Sequence, residues 1–242
     1  MDTTASLGGA TEFTVSLFVR LDTMVASFGV GQWGTGYPNN AWISAPADSG
    51  TYGPGSDGFR NWFDTASFPT QGQWGNTLTA PVVLHHVARY NGAGATDADR
   101  LRVWGAAYES GTAIDSWGEK TLVYQGSPAI PSALANGGSL PNIMVGGAQY
   151  STAQDINGLV GMVAIWDSAL TPAQIAGLHD SATRQPTDPT ALAPTWWWQP
   201  TAADIGASGL TDRGSGGANG TFASGNGVGD AGGAPTVVAW SE

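Results

Sequence analysis

The sequence has no cysteine, a single lysine and few charged residues of either sign. The absence of cysteine excludes a disulfide framework, a cysteine nucleophile and a thiolate metal site. Eight basic residues against 19 acidic ones give a formal charge of −11, and only 11% of the 242 residues are charged. Because no basic stripe is available to neutralise phosphates or anionic headgroups, we expect neither nucleic-acid binding nor membrane insertion.

The sequence also lacks a basic leader and a long apolar run at its start, MDTTASLGGATEFTVSL, so no signal peptide or membrane span is predicted. Glycine and proline are abundant, at 36 and 14 residues. They favour short strands joined by turns over long helices. A hydrophobic content of 41% with 11 tryptophans is enough for the core of one large all-β domain or two small ones.

The clearest strand is EFTVSLFVRLD, in which every second residue from Phe13 to Leu21 is apolar. This alternation is typical of a half-buried strand, and it predicts that Phe13, Val15, Leu17 and Val19 point into the core. Shorter strand-like segments follow, separated by glycine-containing turns, which favours an antiparallel sandwich over βαβ units. These segments are 82–90, 99–108, 120–124, 142–147, 158–167 and 235–240.

One segment, SALTPAQIAGLHD at 168–180, has the signals of a short helix. Thr171 is placed to cap its N-terminus, Pro172 to occupy the first helical position and Gln174 to complete a capping box. We predict that this helix, over 172–178, packs on the outside of the sandwich.

Five segments in order resemble those of laminin-G-like domains, which are concanavalin A-like jelly rolls: EFTVSLFVRLD, HHVARYNG, DRLRVWGAAYESG, IMVGG and INGLVGMVAIWDSALTPAQIAGLH. The resemblance covers roughly residues 10–180. It implies an all-β, two-sheet antiparallel jelly-roll sandwich with one short helix. Leu84 stands where the family has tryptophan, and 28–75 follows no family pattern. Such a fold hosts lectins, hydrolases and structural modules, so it does not define function.

The tail contains three consecutive tryptophans, of which Trp196 and Trp198 would share one face of a strand and Trp197 the other. With its DRGSGGANGT stretch it resembles the segment that usually opens laminin-G-like domains. About 50 residues are too few for a second sandwich. We therefore divide the chain into a jelly-roll core, 1–192, and a Trp/Gly-rich segment, 193–242, that completes the same sandwich or docks on a neighbour.

Catalytic carboxylates are not evident in the sequence. Retaining glycosidases use two carboxyl groups about 5 Å apart, supplied in related folds by alternating acids of one strand. None of the four glutamates is so arranged, and a pair of aspartates is left open without support; we predict that the chain is not an enzyme. The glutamates are Glu12, Glu109, Glu119 and Glu242.

No set of residues has metal-ligand spacing. His85 and His86 are adjacent and point to opposite faces of their strand, while His179 is expected to lie far away at the helix end. We expect a hydrogen-bonded strand histidine and no cofactor. Calcium binding is left open by oxygen donors in two loops, which are equally ordinary turn residues. These donors are Asp155, Asn157 and Asp212.

The segment 28–75 mixes aromatic residues with Asn, Asp and Gly. Such a mixture suits the stacking of sugar rings, aromatic anchors at a protein interface, or rings buried within the sandwich. The candidate ligand- or partner-binding residues are Trp33, Tyr37, Trp42, Trp62 and Trp74.

Laminin-G-like domains occur on phage particles, among other places. With no leader and no cysteine in the sequence, the resemblance predicts a non-enzymatic structural or decoration protein of a virion or other surface assembly, at the virion surface or outside the cell. The expected partners are other assembly proteins and further copies of the chain, with glycan adhesion left open. The alternatives are a secreted carbohydrate-binding module and, third, an atypical glycosidase.

Overall fold

The computed structural model describes residues 3–22, 30–32, 42–47, 58–64, 69–74, 80–125, 130–134, 143–146, 158–201 and 209–221. Only the backbone is described for the strands between 30 and 74 and for residues 123–125, 144 and 221. The strands are β1 (Glu12–Leu21), β2 (Val30–Gln32), β3 (Trp42–Ala47), β4 (Gly58–Asp64), β5 (Pro69–Trp74), β6 (Val82–Asn91), β7 (Leu101–Glu109), β8 (Thr112–Lys120), β9 (Val123–Gln125), β10 (Ile143–Val145), β11 (Gly158–Trp166), β12 (His179–Asp180), β13 (Gln185–Pro186), β14 (Trp196–Trp198), β15 (Gly209–Leu210) and β16 (Gly220–Thr221). The helices are α1 (Asp97–Arg100), α2 (Pro172–Ala176) and a 3₁₀ turn, Pro189–Leu192.

Two six-stranded antiparallel sheets form the body of the protein. The first has the order β14-β11-β1-β6-β7-β8 and the second the order β10-β2-β3-β4-β5-β9. The prediction of an all-β, two-sheet antiparallel sandwich is thus confirmed. Where one short helix was predicted over 172–178, α2 spans Pro172–Ala176, and the four-residue α1 is a second one that the sequence did not reveal.

The inner core lies between the two sheets. The predicted inward residues of β1 are fully buried there, which confirms their register. Residues of β10 join the same core from the second sheet, so the two sheets pack face to face. The inner core includes Phe13, Val15, Leu17, Val19, Leu84, Ile143, Val145, Val163, Ile165 and Trp198.

The opposite face of the first sheet is buried as well, so the expectation of a half-buried β1 is wrong. Thr14, Ser16 and Phe18 are all at most 2% exposed. A second apolar cluster, the outer cluster, covers this face. Much of the cover comes from residues 167–193, here called the outer layer, which contribute Leu170, Ile175, Leu178 and Leu192; the sheet contributes Phe18, Val87, Trp104, Met162 and Trp166.

Helix α2 sits in the outer layer because its start is fixed by local hydrogen bonds. The Thr171 hydroxyl accepts from the Gln174 backbone N–H at 3.3 Å, and the Gln174 side chain accepts from the Thr171 N–H at 2.8 Å. This is the predicted capping box, with Pro172 at the first turn. Ile175 points into the outer cluster, and Gly177 ends the helix.

The three tryptophans form β14, which pairs with β11 at one edge of the first sheet. Trp198 is buried in the inner core, where its indole N–H donates to the Ala218 carbonyl at 3.0 Å, whereas Trp197 belongs to the outer cluster. Trp196 is half-buried on the inner side, as the alternation predicted. A Cβ at Gly216 would lie 2.2 Å from Trp196 Nε1, so the turn can approach this ring only because residue 216 is glycine. The division at residues 192 and 193 stays a prediction.

We predict that Trp198→Ala lowers the free energy of unfolding by about 3–5 kcal/mol, because it empties a fully enclosed site in the inner core. Trp196→Ala is the matched control and is expected to cost clearly less, since that ring is half-buried. Urea unfolding followed by circular dichroism measures both. Equal losses in the two variants, or none in Trp198→Ala, would show that β14 is not integrated into the core.

Candidate functional site

A polar cluster lies within the otherwise apolar outer face of the first sheet. It comprises Ser16 from β1, His85 from β6, Tyr108 from β7 and His179 from β12. The strand positions place the first three on the same face, because Ser16 and Phe18 alternate with the inner residues and the sheet register pairs Phe18 with His85. His179 is brought over this face by the outer layer.

Three hydrogen bonds join the cluster into one chain. Ser16 Oγ lies 2.9 Å from His85 Nε2, His85 Nδ1 lies 2.9 Å from His179 Nδ1, and His179 Nε2 lies 2.7 Å from Tyr108 Oη. All four polar groups are therefore engaged, as buried polar groups require.

The hydrogen-bond chain has a direction, since a neutral imidazole has one N–H and one acceptor nitrogen. Either Ser16 donates at one end and the N–H bonds run towards Tyr108, or Tyr108 donates and they run towards Ser16. Both arrangements use every ring nitrogen. With both histidines neutral, every nitrogen of the two imidazoles is satisfied within the cluster.

Aromatic rings enclose the two imidazoles. Trp117 of β8 stacks on both, with ring centroids 4.8 Å from His85 and 4.7 Å from His179. Phe18 meets His85 edge-on at 5.9 Å, and Tyr108 stacks on His179 at 5.9 Å. Ser16 and His85 are completely buried and His179 is 7% exposed, so the cluster is closed to a substrate-sized molecule.

Burial keeps both imidazoles neutral. It lowers the pKa of His85 well below 6.5, and the neighbouring His179 and His86 lower it further. Burial also lowers the pKa of His179 to about 4, although the nearby Asp180 carboxylate acts in the opposite direction. At neutral pH the cluster is therefore a hydrogen-bonded but uncharged group.

The structure corrects the expectation that His179 lies far from His85: the two rings are in direct contact. His85 is a hydrogen-bonded strand histidine, but the residue that matches the family's His-Val-Ala is His86, and for His86 the hydrogen bond stays a prediction. His86 pairs with Leu17 and so lies on the inner side, opposite to His85, as adjacent strand residues should. The missed signal was a set of polar residues, Ser16 and Tyr108 among them, at outer positions of strands that are otherwise apolar.

The predicted aromatic binding residues belong to another part of the molecule. Trp33 and Tyr37 lie outside the described residues. Trp42, Trp62 and Trp74 lie on the adjacent strands β3, β4 and β5 of the second sheet. Their backbones pair Trp42 with Gln32, Trp62 with Ile43 and Trp74 with Phe59. These strands belong to the second sheet, whereas the histidine cluster sits on the first.

Asp212, one of the calcium candidates, organises a turn. One carboxylate oxygen accepts from the backbone N–H groups of Trp197 and Gly214, each at 2.8 Å, and the other accepts from the N–H of Ala218 at 2.8 Å. The carboxylate thus fastens residues 212–218 to β14. Asp155 and Asn157 lie outside the described residues.

Within the described part of the chain, no group of three or more His, Cys, Asp or Glu side chains is arranged to hold a metal ion. Nor does any described helix have the length and apolar character needed to cross a membrane.

No family model and no curated protein matches the sequence. Among solved structures, the chain is similar to a native heptameric SAP-like pentraxin from Limulus polyphemus, with 12% identity, a TM-score of 0.42 and coverage of 74% of this chain and 75% of that one. It is also similar to the enzymatically active domain of bacteriophage CBA120 tailspike protein 2, with 12% identity and a TM-score of 0.44, covering 78% of this chain but 26% of that one. The resemblance to laminin-G-like domains in particular stays a prediction.

The lowered histidine pKa values predict that acid destabilises the protein. Below a pH of about 6.5 these histidines bind protons in the unfolded chain but not in the folded one. The free energy of unfolding therefore falls as the pH decreases towards the folded pKa. With a folded pKa of about 4, His179 alone accounts for a loss of ~3 kcal/mol across this window. Urea unfolding over the same pH range measures the loss. A free energy of unfolding that stayed constant down to pH ~5 would contradict the neutral, buried state of these rings.

Proposed function

We propose that the chain is a non-enzymatic structural or decoration module of a virion or other surface assembly, and that it contacts its partner through aromatic residues of the second sheet. The observation that supports this most is the double coverage of the first sheet. Its inner face packs on the inner core and its outer face on the outer cluster. A partner surface is therefore sought on the second sheet.

Four of the six strands of the second sheet, β2 to β5, come from the segment 28–75, in which the sequence concentrates its aromatic residues. Its strands β3, β4 and β5 carry Trp42, Trp62 and Trp74 on three neighbouring strands. Tryptophan is the residue type most enriched among the anchors of protein interfaces, and it also stacks on sugar rings. With 11% charged residues, the surface has few ions to desolvate when a partner binds.

The chemistry of the described residues supports a non-catalytic role. Ser16 and His85 have the atom types of a nucleophile and base, but both are fully buried beneath Trp117 and the outer layer. The Glu119 carboxylate is held by Arg102 at 2.6 and 2.5 Å and has an arginine, not a second carboxyl group, as its partner. The buried Ser16–His85 pair is thus closed to a substrate, and Glu119 is engaged in an ion pair, which supports a structural role for these groups.

Alanine substitutions at Trp33, Trp62 and Trp74 in the full chain test the proposal. If the assembly role is right, at least one of them should weaken self-association or attachment to the particle by about 2 kcal/mol, roughly 30-fold in the dissociation constant. Sedimentation or native mass spectrometry measures this, with circular dichroism melting to confirm the fold. Ile114→Ala, which alters an exposed apolar residue on β8 of the first sheet, is the matched control and should change nothing.

The same variants are scored on a glycan array and in turnover assays with β-glucans and galactans. Loss of glycan binding with assembly intact would favour the alternative, a secreted carbohydrate-binding module. Unchanged assembly and unchanged glycan binding in all three variants would overturn a role for these residues. Turnover that disappeared on changing one aspartate would overturn the non-enzymatic proposal.

A further inference from the structure

The interactions that hold the outer layer on the first sheet differ between its ends and its middle. Its ends are fixed by hydrogen bonds to β1 and β11. The Thr14 hydroxyl donates to the Ser168 carbonyl at 2.9 Å and accepts from the Leu170 N–H at 3.0 Å, while the Trp166 indole N–H donates to the Leu192 carbonyl at 2.9 Å. These three bonds involve no titratable group, and at the first end Arg89 also donates to the Leu170 carbonyl at 2.9 Å while Glu12 accepts from the Ala169 N–H at 3.5 Å.

The middle of the outer layer, residues 171–187, is held differently. It packs Ile175 and Leu178 on the outer cluster, and its polar link to β6 is the bond from His179 to His85. Towards β8 and its preceding turn, the Trp117 indole donates to the Ala176 carbonyl at 3.3 Å and the Arg184 guanidinium donates to the Gly111 carbonyl. Internal bonds, such as that from the Thr187 N–H to the Leu178 carbonyl at 2.9 Å, keep the segment together as a unit.

From this arrangement we propose that the His85–His179 pair is an acid-sensitive latch: its protonation releases residues 171–187 from the first sheet, while the inner core stays closed. The inference is independent of the proposed function, because it concerns the other sheet.

The geometry of the pair explains why acid would open it. Two Nδ1 atoms 2.9 Å apart have room for one hydrogen between them, and each Nε2 is already bonded, to Ser16 or to Tyr108. One added proton fits, because a cationic His85 can donate to both Ser16 and a neutral His179. A second proton would set two N–H groups head to head between two cations. Opening of the middle segment separates the two cationic rings and exposes both to water.

No neighbouring described group offers the cations a free counter-charge. Against the lowering by burial, the carboxylate of Asp180, next to His179 in the chain, raises the pKa of His179, but it already accepts from the Ala182 N–H at 2.9 Å and the Thr183 hydroxyl at 2.8 Å. Two further carboxylates on the packed elements lie elsewhere: Glu12 on β1 accepts from the Ala169 N–H at 3.5 Å, at the fastened end of the layer, and Glu109 follows Tyr108 on β7 and so projects to the opposite face. The other titratable and charged groups on the packed elements are neutral, cationic or already ion-paired. They are Tyr108 and the Arg102–Glu119 pair on β7 and β8, Arg89 on β6 bonded to the Leu170 carbonyl, the Asp115–Lys120 pair on β8, Arg184 over the Tyr108 ring, and His86 on the inner side.

Hydrogen exchange of the full chain, read by mass spectrometry and corrected for the intrinsic pH dependence of exchange, tests the latch. Between about pH 7 and pH 5, protection of peptides from 171–187 should fall by about tenfold or more, while peptides from β1 keep theirs. His179→Gln keeps a donor and an acceptor but cannot be protonated, so it should lower the pH dependence by about one proton and leave only the contribution of His85. His86→Gln is the matched control on the inner side and should leave that dependence in place.

A measurement on the unmodified chain covers the case in which His179→Gln does not fold. The logarithm of the opening constant of 171–187 should change with pH with a slope of about one to two protons over the same window. A slope of zero would overturn the proposal, as would protection that is lost in step across 171–187 and β1. An undiminished pH dependence in a folded His179→Gln would do the same.

Discussion

The structure depends on one constraint: the first sheet is apolar on both faces, so both must be kept from water. An antiparallel sheet with one solvated face needs only a single partner layer. Here the central strands β1, β6 and β11 have buried residues at successive positions, and the second sheet covers just one side of them. The outer layer is consequently as much a part of the core as the strands are.

This constraint accounts for the polar groups trapped on the outer face. Thr14 and Ser16 would suit a solvated strand, but once covered they must find partners. Thr14 is satisfied by the backbone of the outer layer, and Ser16 by His85, which is in turn bonded to His179. The hydrogen bonds of the polar cluster therefore fix the position of the outer layer, and the outer layer in turn encloses the polar cluster. The proposed latch has the same origin, because the outer layer that covers the sheet also carries His179, one of its two rings.

The sequence predicted what is encoded locally. Period-2 alternation identified the inner face of β1, a capping box identified the start of α2, and simple strand geometry assigned Trp197 and Trp198 to opposite sides of β14. The burial of Thr14 and Ser16 was missed because a Thr/Ser alternation is normally found at a solvated face. Strand β8 was missed since TAIDSWGEK has no alternation and is largely exposed.

The contact between His85 and His179 was not predictable because 94 residues separate them and no local pattern records how the outer layer folds back. For the candidate binding residues, the sequence indicated aromatic character, and the fold adds that Trp42, Trp62 and Trp74 lie on adjacent strands. Whether any of these rings is exposed to a partner depends on tertiary packing, which composition does not encode.

The central claim is that the chain's own C-terminal part closes the first sheet, and removal of residues 193–242 tests it most directly. The deletion takes away β14, Trp197 and Trp198, and it leaves an open strand edge on β11. Thermal unfolding by calorimetry, together with binding of a dye specific for exposed apolar surface, should show loss of the cooperative transition and strong dye binding. A truncated chain that melted like the full one and bound no dye would contradict the account.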